Sequence, residues 1–189
     1  MQTKWVVGVL GVLILAIPGC GPRLKPNILP PPPPAPVAGM SAAAPAMAAV
    51  CDESLWQHVY TGDPRRFSSP RDRLHVITPC MAVTGTVFSS QPEGDGDFHI
   101  RITLDAKFSN LLNAKNISGQ SGHLVVEPVC MGAVSQKDTK KEGVCNTFHQ
   151  SVFDPSMKGK HVRIVGAYVT DMEHGWNEIH PVTSITVIP

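Results

Sequence analysis

Six residues within ten positions near the C-terminus hold the densest set of groups able to do chemistry: Asp171, Glu173, His174, Trp176, Glu178 and His180. If 177–181 is extended, Glu178 and His180 point to one face, and His174 can fold back over them across the Gly175 turn. Two imidazoles and a carboxylate could hold zinc or a related divalent metal with a position left for water. The same residues could instead pin the turn of a hairpin, with Trp176 as its cap, or contact a ligand without a metal. All three uses are open.

A second group is acidic: Glu93-Gly94-Asp95-Gly96-Asp97, followed by His99. Asp-Gly-Asp is a common turn sequence, and its oxygens could also bind calcium or share a metal with His99. His99 and Arg101 fall on one strand face, His161 and Arg163 on another. The plainer reading is that both faces are the solvated side of a barrel wall; aligned, they would form a mildly basic patch, and Arg101 and Arg163, like Trp176, are candidate ligand contacts. There is no G-x-S-x-G elbow, and the domain cysteines are better used as disulfides than as nucleophiles. No catalytic residue can be assigned.

These groups must be positioned by short β-elements. Strands are expected over 80–88, 97–105, 123–130, 161–170 and 178–188, the last bent at Pro181 and the third ending at a sheet edge near Pro128. In 97–105, Phe98, Ile100, Ile102 and Leu104 share a face, opposite His99, Arg101, Thr103 and Asp105. The segment 91–96 is the turn of a hairpin. Residues 52–79 read as a lead-in arm with a short helix near 53–59 and one short strand, 107–122 as a loop with at most one helical turn, and 137–142 as a solvated charged loop. Gly85 and Gly166 sit inside strands, as bends or bulges require. The fold class is therefore all-β: a small five-stranded barrel with irregular disulfide-bonded loops.

The order of features resembles an OB-fold: Val83-Thr84-Gly85-Thr86-Val87, an aromatic-led second strand, then Gly159-Lys160-His161-Val162-Arg163-Ile164-Val165-Gly166 entering the fourth. From about Val76 onward the chain also resembles an uncharacterised prokaryotic family marked by D-G-D-x-H (Asp95 to His99) and H-G-W-x-E-I-H-P (His174 to Pro181). That resemblance implies a fold and no activity. Asp-Gly-Asp before such a strand is similar to the calcium-binding start of thermonucleases, a likeness that touches Asp95 and Asp97 only, since no matching downstream Arg and Glu arrangement can be placed.

The N-terminus carries a different message. Residues 1–19 have one positive charge, Lys4, an apolar run over 5–17, and Pro18-Gly19 before Cys20, the three-part layout of a secretory signal. At about 20 Å as a helix, the apolar run is short for a bilayer core of roughly 30 Å. Leu15-Ala16-Ile17-Pro18-Gly19-Cys20 resembles a bacterial lipobox, with Pro18 departing from the usual small residue. The expectation is a lipid on Cys20, a Pro/Ala-rich stalk over 20–50, and a domain over 51–189 facing the periplasm or exterior of a bacterial envelope.

All 15 acidic residues lie in that domain, but three of the 16 basic ones precede it, leaving a formal charge of −2. That balance argues against nucleic acid as partner. Partners are expected to be the membrane, through the lipid, and an envelope protein or small ligand. Four cysteines remain after Cys20; an even count in an exported domain implies disulfides, and Cys51–Cys80 with Cys130–Cys145 is the favoured pairing because each brackets a local irregular segment. A four-cysteine zinc site is disfavoured, since no C-x-x-C occurs. The leading reading is a binding or structural module on a lipoprotein; the alternative is a metal-dependent hydrolase, conceivably acting on phosphodiesters, built on Asp95, Asp97, His99, His174, Glu178 and His180.

Overall fold

The structure is a computed structural model that describes residues 48–189. Cys20, the apolar run before it and nearly all of the Pro/Ala segment lie outside the described residues.

Five strands carry the fold: β1 (Leu74–Pro92), β2 (Phe98–Leu104), β3 (Leu124–Val126), β4 (His161–Asp171) and β5 (Asn177–Val187). Each pairs with two others, so the sheet closes on itself in the order β1-β2-β3-β5-β4. Every pairing is antiparallel except β3 with β5, which is parallel. Strand β1 is long enough to serve two neighbours: its first part pairs with β4, its last part with β2, and Gly85 and Thr86 pair with both.

That double pairing explains the mid-strand glycines. A Cβ on Gly85 would lie 2.4 Å from the Thr103 carbonyl oxygen, and one on Gly166 would lie 2.5 Å from both Ile179 Cγ2 and the Pro181 carbonyl oxygen. The strands pass too closely there for any side chain.

Several expectations are corrected. The short strand in the arm and the strand at 80–88 are one continuous strand, β1. The third strand is only three residues long and lies between β2 and β5, not at an edge; Pro128 falls beyond its end. Strand β5 runs through Pro181 without breaking, because the register with β4 shifts around Gly166 and leaves Pro181 without a ladder partner. The loop at 107–122 holds a 3₁₀ turn (Ala106–Leu111) and a helix, α2 (Ala114–Gly119), while the charged run is a helix, α3 (Lys137–Glu142). A four-residue helix, α1 (Pro70–Arg73), leads into β1, and the helix expected near 53–59 is a 3₁₀ helix (Glu53–His58).

Two apolar clusters form. The larger gathers Val83, Ile100, Ile102, Leu124, Val126, Ile164 and Ile179 inside the closed sheet. The smaller packs Leu55, Trp56 and Val59 of the 3₁₀ helix on Leu74, Ala167 and Val169, covering the outer face of β1 and β4. Strand β4 is thus buried on both faces. Disulfides join Cys51 to Cys80 and Cys130 to Cys145, the two pairings the cysteine spacing favours. No helix among the described residues is long and apolar enough to cross a membrane.

Candidate functional site

Strand alternation builds the site. Ile100, Val126 and Ile179 point into the closed sheet, so their neighbours His99, Glu127, Glu178 and His180 point to the opposite, outer face. Strand β3 lies between β2 and β5, with Val126 opposite Ile100 on one side and Ile179 on the other. Glu127 therefore emerges with a histidine from each flank.

The outer face is not wet. The chain beyond β3 folds back over it: the Gly132 N–H donates to the Gly96 carbonyl, and the Gln150 side chain bonds the Val129 N–H and the Val182 carbonyl. Asp97, His99, Glu127, Glu178 and His180 are all buried. This overturns the expectation that His99 stands on a solvated face. It also removes the basic patch: His99 turns to Glu127, whereas His161 pairs with Asp105, and β1 separates their strands.

Glu127 is the hub. Its Oε1 lies 2.9 Å from His99 Nδ1, and its Oε2 lies 3.1 Å from His180 Nδ1. His180 Nδ1 also meets Glu178 Oε1 at 3.0 Å, and Glu178 Oε2 accepts from the Trp176 indole N–H at 2.9 Å. His180 Nε2 faces Asp97 Oδ2 at 3.4 Å, while Asp97 Oδ1 accepts the Cys130 N–H at 2.8 Å. On the other flank Glu93 reaches His99 Nδ1 at 3.3 Å. Gln120 Oε1 accepts from Arg101 Nε at 2.8 Å and lies 3.2 Å from His99 Nε2. Arginine can only donate, which fixes that amide atom as oxygen and His99 Nε2 as a donor.

Charge balance follows from this geometry. Burial disfavours the Glu127 carboxylate, but hydrogen bonds from His180 and His99 outweigh it and hold Glu127 well below the usual carboxylate range. Burial likewise opposes the imidazolium of His99, and the bonds to Glu127 and Glu93 outweigh it, raising His99 to about 10. His180 is raised well above the ordinary histidine value, against burial, by Asp97, Glu127 and Glu178. Glu178, buried and beside the Glu127 charge, is pushed up to about 7. Asp95, through burial and the neighbouring Asp97 and Glu127, also rises to about 7.

A cleft of about 720 Å³ opens over the His99 flank, lined by Tyr60, Arg73, Glu93, Asp95, His99, Glu127, Asp138, Asp171, His174 and Trp176 among others. At its wall Arg73 pairs with Asp171 at 3.4 Å, both buried, and donates to the Tyr60 carbonyl. Asp171 also receives His174 Nδ1 at 2.9 Å, and the His174 ring stacks on Trp176 with centroids 4.4 Å apart.

The two sequence segments thus meet, though not as expected. His174 does not fold over Glu178 and His180; it pairs with Asp171 and lies against Trp176, which itself bonds Glu178. Asp95 and Asp97 diverge: Asp95 accepts the Asp97 N–H and lines the cleft, while Asp97 turns inward to His180. Arg163, opposite Thr84 and Thr186 on β4, does not line the cleft. Glu127, Gln120 and Arg73 escaped the sequence reading. A single carboxylate within the apolar run Leu124 to Val129 was the available signal for Glu127.

Neither a scan against protein-family models nor a search of curated proteins finds a match for this chain.

Proposed function

We propose that the chain is a lipid-anchored protein of a bacterial envelope whose OB-fold-like barrel acts as a binding module for a small, positively charged polar ligand. The observation that carries the ligand class is the cleft: its lining holds seven carboxylates, Asp63, Glu93, Asp95, Glu127, Asp138, Asp171 and Glu173, against two arginines, Arg65 and Arg73, and two histidines raised above their ordinary value, His99 and His174. Its volume falls within the range of small-ligand pockets, and Tyr60 and Trp176 supply the aromatic surface against which a cation is favoured.

Support for the barrel class comes from the closed order of five strands with its glycine-marked crossings. Support for anchoring comes from the signal-like N-terminus, Cys20 and the charge-poor segment after Lys25. The two disulfides suit an oxidising compartment.

Calorimetric titration of the full chain in detergent with spermidine, an arginine ester and citrate tests the ligand class. Binding of the cations, weakened in the Asp138→Asn/Glu173→Gln double variant, is expected. Binding of citrate in their place would overturn the reading. Metabolic labelling with a fatty-acid probe tests the anchor: label in the wild type and none in Cys20→Ala is expected.

A further inference from the structure

We propose that Asp97, Glu127 and His180 form a site for one divalent metal ion, with zinc the best match, set behind the cleft and independent of the cleft's ligand. It stands on two orphaned atoms. His180 Nε2 and Asp97 Oδ2 belong to side chains 0% and 2% exposed, and neither has a hydrogen-bond partner among the described residues. They face one another at 3.4 Å. A buried polar atom without a partner is costly, and a bound ion is one of the few things that resolves it.

The ring's other nitrogen is already engaged. His180 Nδ1 bonds Glu178 Oε1 at 3.0 Å, which leaves Nε2 alone to face Asp97 Oδ2.

A second ring proton and a metal ion are the two ways to bridge that gap, and distance separates them. A charge-assisted N–H···O bond spans about 2.7–2.9 Å and is near linear. Here the separation is 3.4 Å, and neither atom has a hydrogen-bond partner. Two donors bound to one tetrahedral zinc at about 2.0–2.1 Å stand about 3.3 Å apart. Glu127 supplies the third donor, with one ligand atom from each of the three residues within 4.8 Å of the others.

Both ends of the site are braced from behind. Nδ1–H of His180 points to Glu178, which Trp176 orients, and Asp97 Oδ1 is held by the Cys130 N–H. A histidine ligand backed by a carboxylate is the usual way a protein fixes a metal-binding imidazole. One nitrogen and a few oxygens suit zinc, whereas calcium takes six to eight oxygens. Cys130 and Cys145 lie within reach of Asp97 but are joined to each other and offer no thiolate. A second group, Glu93, His99 and Glu127, shares the hub, yet its donors already satisfy one another at 2.9 and 3.3 Å.

The test is zinc titration of the full, disulfide-intact chain in detergent against a chromophoric chelator, with folding checked by near-ultraviolet circular dichroism. One zinc per chain is expected, with affinity reduced about 100-fold or more in Asp97→Asn and unchanged in Glu93→Gln. No zinc bound by the folded wild type, undiminished binding by Asp97→Asn, or equal loss in Glu93→Gln would each overturn the proposal. Should Asp97→Asn not fold, X-ray absorption on the zinc-loaded wild type decides: one imidazole with oxygen neighbours supports the site, and two imidazoles or any sulfur refutes it.

Discussion

Glu127 shows how one side chain organises a buried polar network. It faces an imidazole through each carboxylate oxygen, and its charge is one reason Asp95 and Glu178 keep their protons to about 7. The consequence is a pH dependence weighted to the acid side. Asp95 and Glu178 rise from 3.8 and 4.5 to about 7 on folding, so across that interval the folded protein binds more protons than the unfolded chain and stability falls as pH rises. His99 continues the trend: raised from 6.5 to about 10, its stabilisation is complete below 6.5 and lost as pH climbs to about 10. Glu127 acts oppositely, its contribution present above 4.5 and lost below it as pH falls. In chelator, where no divalent ion competes with protons, the thermal midpoint should peak near pH 4.5 and decline from there toward 10. Glu178→Gln should flatten the decline between 4.5 and 7. A midpoint that rises from pH 6.5 to 9 would contradict the assignment of these proton sites.

At the scale of elements, close strand crossings and one short helix decide the geometry. Gly166→Ala should destabilise the fold by about 1–3 kcal/mol, because the new Cβ meets Ile179 Cγ2 and the Pro181 carbonyl oxygen at 2.5 Å and strand backbone must move. Chemical denaturation would show it as a lower midpoint at constant slope. Helix α2 depends on Asn116, which is fully buried. Its Oδ1 accepts the Asn113 and Asn177 N–H groups, and its Nδ2 donates to the His123 and Asn177 carbonyls. Asn116→Ala leaves those four backbone groups without their partner and should cost about 2–3 kcal/mol, read by the same denaturation. This explains why 114–119 looked like a loop. Its sequence is a poor helix by itself, and the interaction that orders it lies 61 residues away, across to the start of β5.

For the whole molecule, the Cys130–Cys145 disulfide closes the cover over the polar face. It spans 15 residues and begins at Cys130, whose N–H holds Asp97. A Cys130→Ser/Cys145→Ser double variant should lose about 3 kcal/mol of stability by thermal denaturation, from loop-closure entropy. Amide exchange of the Cys130 N–H should then rise ahead of that of β2 and β4. No change in either would remove the loop's role as a cover. What the sequence determined alone was local: where strands with period-two or β-branched patterns run, where turns break them, and which cysteine pairing is favoured because each pair brackets an irregular segment. The alternation in β2 correctly placed Ile100 and Ile102 inside, but His99 was misread as exposed because period two separates faces without saying what covers either one. Only the tertiary structure decided that, by folding 128–150 back over the sheet and setting β3 between β2 and β5. Side chains from β2 and β5 then meet at Glu127, just beyond the end of β3. Their contacts join positions up to 83 residues apart, such as Asp97 and His180, and no periodicity within one segment can encode a meeting made by strand order and register.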